Sequence, residues 1–306
     1  MLTPIEYKSQ WRIASARIIC LLGLFFAGLS IAGLFSGLFV NIIPGRPGLL
    51  ASSFTQNLFA FCLPAIFVAM IVCRTPRRLL GLDRIPTLRS FAGMIILYVA
   101  ALPLFDQTIA WNEAMHLPQS ISGIEQTMRN MENEALRISN TILNGNGVWV
   151  LLSGLLFVGI VTGFCEEIFF RGALQRMLMS HRIGKHASVW IAAFIFSLLH
   201  FQFFGFLPRL LIGAMFGYLF LWSGSLYLNA TAHAFNNSMV VVSYWLTNHG
   251  TDMSRLDKFG VTDGFPWPAL LSLAAVIAIA ICLRTPFFNS RPINKSAHGF
   301  ENNQLS

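Results

Sequence analysis

The sequence predicts an all-α fold: a polytopic transmembrane bundle of about eight spans with both termini in the cytoplasm. Three observations predict it: a shortage of charge, a series of long apolar runs, and an uneven sorting of basic residues between alternate loops. Of 306 residues, 55% are hydrophobic and only 11% charged, and the mean hydropathy is +0.62. Soluble domains carry roughly a quarter charged residues, so the composition points to lipid as solvent.

The runs follow in order along the chain. Residues 18–43 contain no charged residue, and about 20 apolar residues suffice to cross a bilayer. Similar runs cover 54–73, 91–110, 148–170, 187–204, 210–222, 226–247 and 266–283. The run at 210–222 is short and follows Pro208. The first run exceeds the apolar part of a signal peptide, and no small-x-small cleavage site follows, so it reads as a retained first helix. The longest loop, 111–147, carries Glu113, Glu125, Glu132 and Glu134. It reads as a solvated cap with room for a short surface helix over 121–140.

Basic residues orient the bundle. With loops assigned alternately to two sides, 15 of the 21 Lys and Arg fall on the side of the N-terminus and 6 on the other. The positive-inside rule makes the first side cytoplasmic. The formal net charge of +8 is thus a topology signal, and a nucleic-acid partner is not expected. The five cysteines lie in or at the ends of apolar runs without metal-type spacing and read as unpaired packing residues. The glycine spacings at 28–33 and 213–217 follow no strand. They read as close helix packing, not phosphate loops. No internal repeat points to an inverted-repeat transporter.

Polar groups inside the runs are few. Of 13 acidic residues, Glu166 and Glu167 lie within a run, Asp106 falls toward the end of the run 91–110, and the rest are in loops or tails; of seven histidines only His200 and His233 lie within a run. An ionisable group in a span costs several kcal/mol and marks a functional site by default. Glu167 and Arg171 are four apart and share a helix face, as do Phe196 and His200, and His233 and Asn237. Glu166 is rotated about 100° from Glu167 and is free to face something else. Each residue alone has a structural reading, as a helix–helix polar contact or an ion pair at a helix end. The weight comes from their occurring together. A proton- or ion-coupled transporter would need ionisable groups through both leaflets, and the outer halves of the spans offer almost none.

These residues fall into three ordered motifs: Glu166-Glu167-Ile-Phe-Phe-Arg171 as EExxxR, Phe196-Ser-Leu-Leu-His200 as FxxxH, and His233-Ala-Phe-Asn-Asn237 as HxxxN. The ordered set resembles the CPBP intramembrane protease family, also called the CAAX-processing or ABI family, which includes Rce1-type enzymes. The resemblance covers roughly residues 148–247. It implies a helical bundle with a polar cavity open to the cytoplasm and hydrolysis of a peptide bond there. By that resemblance Glu166 activates water, His200 helps hold it, His233 and Asn237 stabilise the oxyanion, and Glu167 with Arg171 orders the site. Amide hydrolysis does need a base for water and donors where negative charge develops. If a metal is bound, Glu166, His200 and His233 are the ligand set, with zinc the candidate. HExxH is absent, so tight zinc binding is not expected.

The implied organisation is an N-terminal helical part with its outer loop over 1–147 and a protease core over 148–247. A last span with its loop follows over 248–288, and a disordered cytoplasmic tail over 289–306. The expected partners are membrane lipid and a peptide or protein substrate, CAAX-like or other, cut near the membrane. The expected location is the plasma (cytoplasmic) membrane. The competing reading within the same family is a non-enzymatic immunity or scaffold protein of the bacteriocin self-immunity type. Loss of Glu166 or His200 would have favoured it.

Overall fold

The computed structural model describes residues 4–180, 183–254, 258–283 and 290–292. Among these described residues nine long helices follow one another: α1 (Pro4–Ile42), α2 (Arg46–Val72), α3 (Leu88–Glu113), α4 (Ser122–Leu143), α5 (Val148–Ser180), α6 (Lys185–Leu198), α7 (Phe206–Ser223), α8 (Leu226–Asn248) and α9 (Trp267–Leu283). Breaks coincide with breakers. Gly45, at φ 78°, separates α1 from α2, and Gly224, at φ 64°, ends α7. Thr87 caps α3 by accepting the Ser90 N–H.

The chain is an all-α, multi-pass membrane bundle, and its surface is inverted relative to a soluble protein. Leu34, Ile71, Leu88, Trp149 and Leu271 are exposed, whereas Glu167, Arg171, Gln175 and Asn229 are fully buried. Lipid is the solvent that permits this exchange. Phe25 of α1, Phe61 of α2 and Phe169 of α5 stack mutually at ring separations of 5.4–5.5 Å. A Cβ on Gly28 would lie 1.8 Å from Phe59 O, and one on Gly217 would lie 2.8 Å from Val189 Cγ1. Gly28 and Gly217 are therefore packing residues, as expected, whereas a Cβ on Gly33 would meet nothing within 4 Å, so the 28–33 spacing is not a packing motif as a whole. All five cysteines are free.

Every predicted span is a helix, but the bounds shift. Among the described residues five segments are long and apolar enough to cross a membrane: Ser15–Ile42, Arg46–Val72, Leu88–Glu113, Val148–Ser180 and Phe203–Ser223. Helix α6 and the apolar part of α9 are shorter. The 14 residues of α6 rise only about 21 Å, less than the roughly 30 Å hydrocarbon core. Helix α8 has the length, but its inward Asn and His side chains lower its hydropathy. The fourth span does not stop at residue 170. It runs on to Ser180 because Arg171 is buried and paired instead of reaching water. Glu166 thus sits roughly 20 Å from the end of α5, far deeper than a stop at Phe170 implies.

Segments assigned to one side by charge sorting touch one another. Ser225 Oγ donates to Arg84 O (2.7 Å) and Leu226 N to Gly81 O (2.9 Å). On the opposite side Arg46 Nε donates to Ile142 O at 2.7 Å, and Asn112 bonds the segment before α7. The surface helix expected over 121–140 is α4, which spans Ser122–Leu143. Of the tail from residue 289, Ser290–Pro292 pair antiparallel with Arg84–Pro86. Residues 293–306 lie outside the described residues.

Candidate active site

The site forms where α5, α7 and α8 meet. A Cβ on Gly163 would lie 2.8 Å from Ala234 N, so glycine at this position lets α5 reach the backbone of α8 one turn before Glu166. The helix is π-wound over Leu155–Val161 and Ile168–Gln175. Such widened turns change which side chains share a face and recur at functional sites.

Glu167 is the hub. Its Oε1 accepts from Arg171 Nη1 at 2.7 Å and from His233 Nδ1 at 2.9 Å. Its Oε2 accepts from Asn229 Nδ2 at 3.4 Å. Arg171 Nη2 donates to Gly213 O at 2.8 Å, and the guanidinium lies 4.8 Å from the Phe196 ring centroid. One turn on, Gln175 Nε2 donates to Gly217 O at 3.0 Å. Successive polar turns of α5 thus bond successive turns of α7. This gives a buried guanidinium the acceptors that make its burial tolerable.

Glu166 approaches the other nitrogen of the same imidazole. It is buried; its Oε2 lies 3.7 Å from His233 Nε2 and has no hydrogen-bond partner among the described residues. A carboxylate only accepts, so His233 Nδ1 carries a proton toward Glu167. Nε2 can then donate only when the ring holds both protons.

His200 and Asn237 border this unit without bonding to it. His200 follows α6, and its Nδ1 donates to Phe196 O at 2.8 Å, which leaves Nε2 as an acceptor. Phe196 lies between the two imidazoles, with ring centroids 4.9 Å from His200 and 5.7 Å from His233. Asn237 Nδ2 donates to Val158 O at 3.1 Å, and its Oδ1 accepts from Asn236 Nδ2 at 3.2 Å.

The segment after His200 is tightly held. Phe201 has φ 52°, the one positive φ outside glycine among the described residues. Asn112 of α3 donates to Phe203 O (3.0 Å) and accepts from Leu207 N (2.7 Å), and Ser197 Oγ donates to Phe206 O (2.7 Å). Beyond it lies a cavity of about 460 Å³ lined by Glu113, Glu132, Gln202, Phe204 and Arg209 among others. This cavity is on the side of α4, whereas the resemblance implies one open toward the cytoplasm. Here Arg129 of α4 covers the Phe204 ring at 4.0 Å; at the other end Arg176 covers the Phe220 ring at 4.9 Å.

Glu166, His200 and His233, the set that would hold a metal, are not gathered into a metal-sized group. Among the described residues no three His, Cys, Asp or Glu are placed to hold an ion. No step is therefore derived through one.

Asn229 and Gln175 were absent from the predicted site. Each continues a stripe already visible in the sequence: Glu167, Arg171, Gln175 on α5 and Asn229, His233, Asn237 on α8, four residues per step. Counting ionisable groups alone passes over neutral amides.

Residues 148–239 match the family model described as "Type II CAAX prenyl endopeptidase Rce1-like". The matched stretch covers α5 to α7 and most of α8, the helices that carry every motif residue. The chain thus carries an Rce1-like domain of the CPBP family, the family the motifs predict. That family generally contains intramembrane proteases and also has non-catalytic members. A Bacillus subtilis (strain 168) protein described as "Uncharacterized protein YpbD" is 31% identical over 83 residues, which is 26% of this chain and 39% of that protein. The chain therefore spans well under half the length of this relative. No solved structure matches.

Proposed function

We propose that the protein is an intramembrane endopeptidase that cuts a membrane-associated protein or peptide close to the bilayer. The observation that carries this reading is Glu166 Oε2: a buried carboxylate oxygen without a partner, set 3.7 Å from His233 Nε2. Leaving such an oxygen unsatisfied is costly, and its use is to take a proton from water. The water attacks the scissile carbonyl, and the carbonyl oxygen becomes an oxyanion. His233, through Nε2 when that nitrogen carries a proton, and the second N–H of Asn237 stabilise that charge. His200 Nε2 accepts a hydrogen bond from the same water. Arg171 balances Glu167, so the site does not accumulate negative charge. The proton on Glu166 then passes to the leaving amine.

The charge sorting supports a bundle with both termini in the cytoplasm. The cavity lined by Gln202, which lies two residues after His200, and by Arg209 supports approach of the substrate polypeptide from the α4 side.

The test compares purified wild type and Glu166→Ala in detergent, each incubated with a library of membrane-proximal peptides and read by mass spectrometry. Products present with wild type and absent with Glu166→Ala are expected. Identical product profiles would refute the reading and leave a non-catalytic member of the family.

A further inference from the structure

We infer that Tyr98, on a helix outside the matched domain, is a positioning residue for the oxyanion donor Asn237 and acts through Asn236. The inference rests on the hydrolytic reading above and deepens it.

Tyr98 projects from α3. It is buried, and its ring packs edge-on against Phe235 of α8 at 5.2 Å. Its hydroxyl donates to Asn236 Oδ1 at 2.9 Å. Asn236 Nδ2 donates to Asn237 Oδ1 at 3.2 Å, and Asn237 Nδ2 donates to Val158 O at 3.1 Å. The chain is directional throughout, because a carbonyl oxygen only accepts and an amide nitrogen only donates. Val158 O requires a nitrogen from Asn237. That turns Asn237 Oδ1 back to Asn236, which must answer with its own nitrogen. Asn236 Oδ1 then faces away and needs a donor, and the Tyr98 O–H is that donor.

The consequence for chemistry lies at the far end. An amide nitrogen has two protons. Val158 O takes one from Asn237 and leaves the other for an oxyanion. Asn236 and Asn237 are consecutive, so on a helix they point about 100° apart, and both side chains must turn for the amides to meet. Without the phenol, Asn236 can rotate by half a turn and present oxygen to Asn237. Asn237 would then swing its nitrogen toward Asn236 and away from the substrate. Preorganised donors work because they need no rearrangement as charge develops.

The test uses full-length protein in detergent and a peptide that wild type cleaves. Tyr98→Phe keeps the ring packing and removes the donor. The expected result is a fall in kcat of about tenfold or more, below the ~10²–10³ for loss of an oxyanion donor, with KM unchanged. Affinity for the matching peptide aldehyde, whose hydrate resembles the tetrahedral intermediate, should fall in parallel. Asn236→Asp, nearly isosteric but unable to donate when ionised, should lose as much. Adding Tyr98→Phe to Asn237→Ala should change nothing further, since the chain has no other output. If Asn237→Ala slows hydrolysis while Tyr98→Phe leaves kcat and aldehyde affinity at wild-type values, the inference is overturned and the hydrolytic reading stands. It is also overturned if Tyr98→Phe slows Asn237→Ala as much as it slows wild type, since the effect would then be structural. If Asn237→Ala leaves kcat unchanged, Asn237 is no oxyanion donor and the inference falls with that assignment.

Discussion

The molecule contains the same three residue types twice. On α4, Glu125 pairs with Arg129 four residues on, at 2.7 Å, and His116 Nδ1 lies 3.1 Å from the same carboxylate. On α5, Glu167 pairs with Arg171 four residues on, at 2.7 Å, and His233 Nδ1 lies 2.9 Å from it. The distances nearly coincide; the surroundings do not. Side-chain exposures of Glu, Arg and His are 14%, 35% and 75% in the first set and 0%, 0% and 4% in the second. Water screens the surface set, and exposed ion pairs contribute little. The deep set has no water to fall back on, so each member is held by the others, and a fourth ionisable group, Glu166, is added beside it. Geometry alone does not make a site. The deep set adds to the same geometry a burial without solvent and a carboxylate oxygen left without a hydrogen bond, and the proposed function rests on that difference.

The comparison can be broken at either set. The largest effect on stability is expected from Arg171→Met. It strands Glu167 in the interior and should cost about 3–5 kcal/mol, read as a lower unfolding midpoint in detergent. Adding Glu167→Gln to it should recover part of the loss, because removing both charges of a buried pair costs less than removing one. Should the double variant be the less stable of the two, the deep set is not held together by charge. Arg129→Met, at the equivalent position of the surface set, should leave the midpoint and hydrolysis at wild-type values.

A smaller effect concerns acid. The Leu117 N–H and then Arg129 hold Glu125 down to about 2 from an ordinary value of 4.5. A carboxyl whose pKa is lowered on folding stabilises while ionised, so its contribution is complete above about 4.5 and lost as the pH falls toward 2. Proteolysis within 114–121, the segment that Glu125 tethers, should therefore accelerate with an acid-stable protease below about pH 4. The Glu125→Gln variant should be cut quickly at all pH values. A pH-independent rate in wild type would show that Glu125 does not hold this segment.

Much of this was legible in the sequence, and for a physical reason. Charge is expensive in lipid, so the few ionisable residues inside apolar runs, Glu166, Glu167, His200 and His233, identify themselves. The Glu167–Arg171 pair formed as the four-residue spacing predicts; the bond from His233 to Glu167 joins two helices and no spacing announces it, and Glu166 stands beside the pair without a hydrogen bond on Oε2. What remained hidden has other causes. Asn229 and Gln175 are neutral and carry no such cost. Tyr98 and Asn112 reach the site from α3, more than a hundred residues from their partners on α8 in one case and nearly so from the start of α7 in the other. The extension of α5 through Arg171 was legible in part: residues 172–179 are largely apolar, although an arginine after an apolar run can also read as an exit to water. Here it turns inward to Glu167 and Gly213.

The central claim is that the deep set is a catalytic device and not a buried staple. Glu166→Gln tests it most directly, because it preserves shape and removes only the group that accepts a proton. On a peptide that wild type cleaves, measured in protein whose unfolding midpoint matches wild type, the rate should fall by about 10²–10⁴-fold, the range for loss of a general base. Cleavage at the wild-type rate by a folded Glu166→Gln protein would contradict the account.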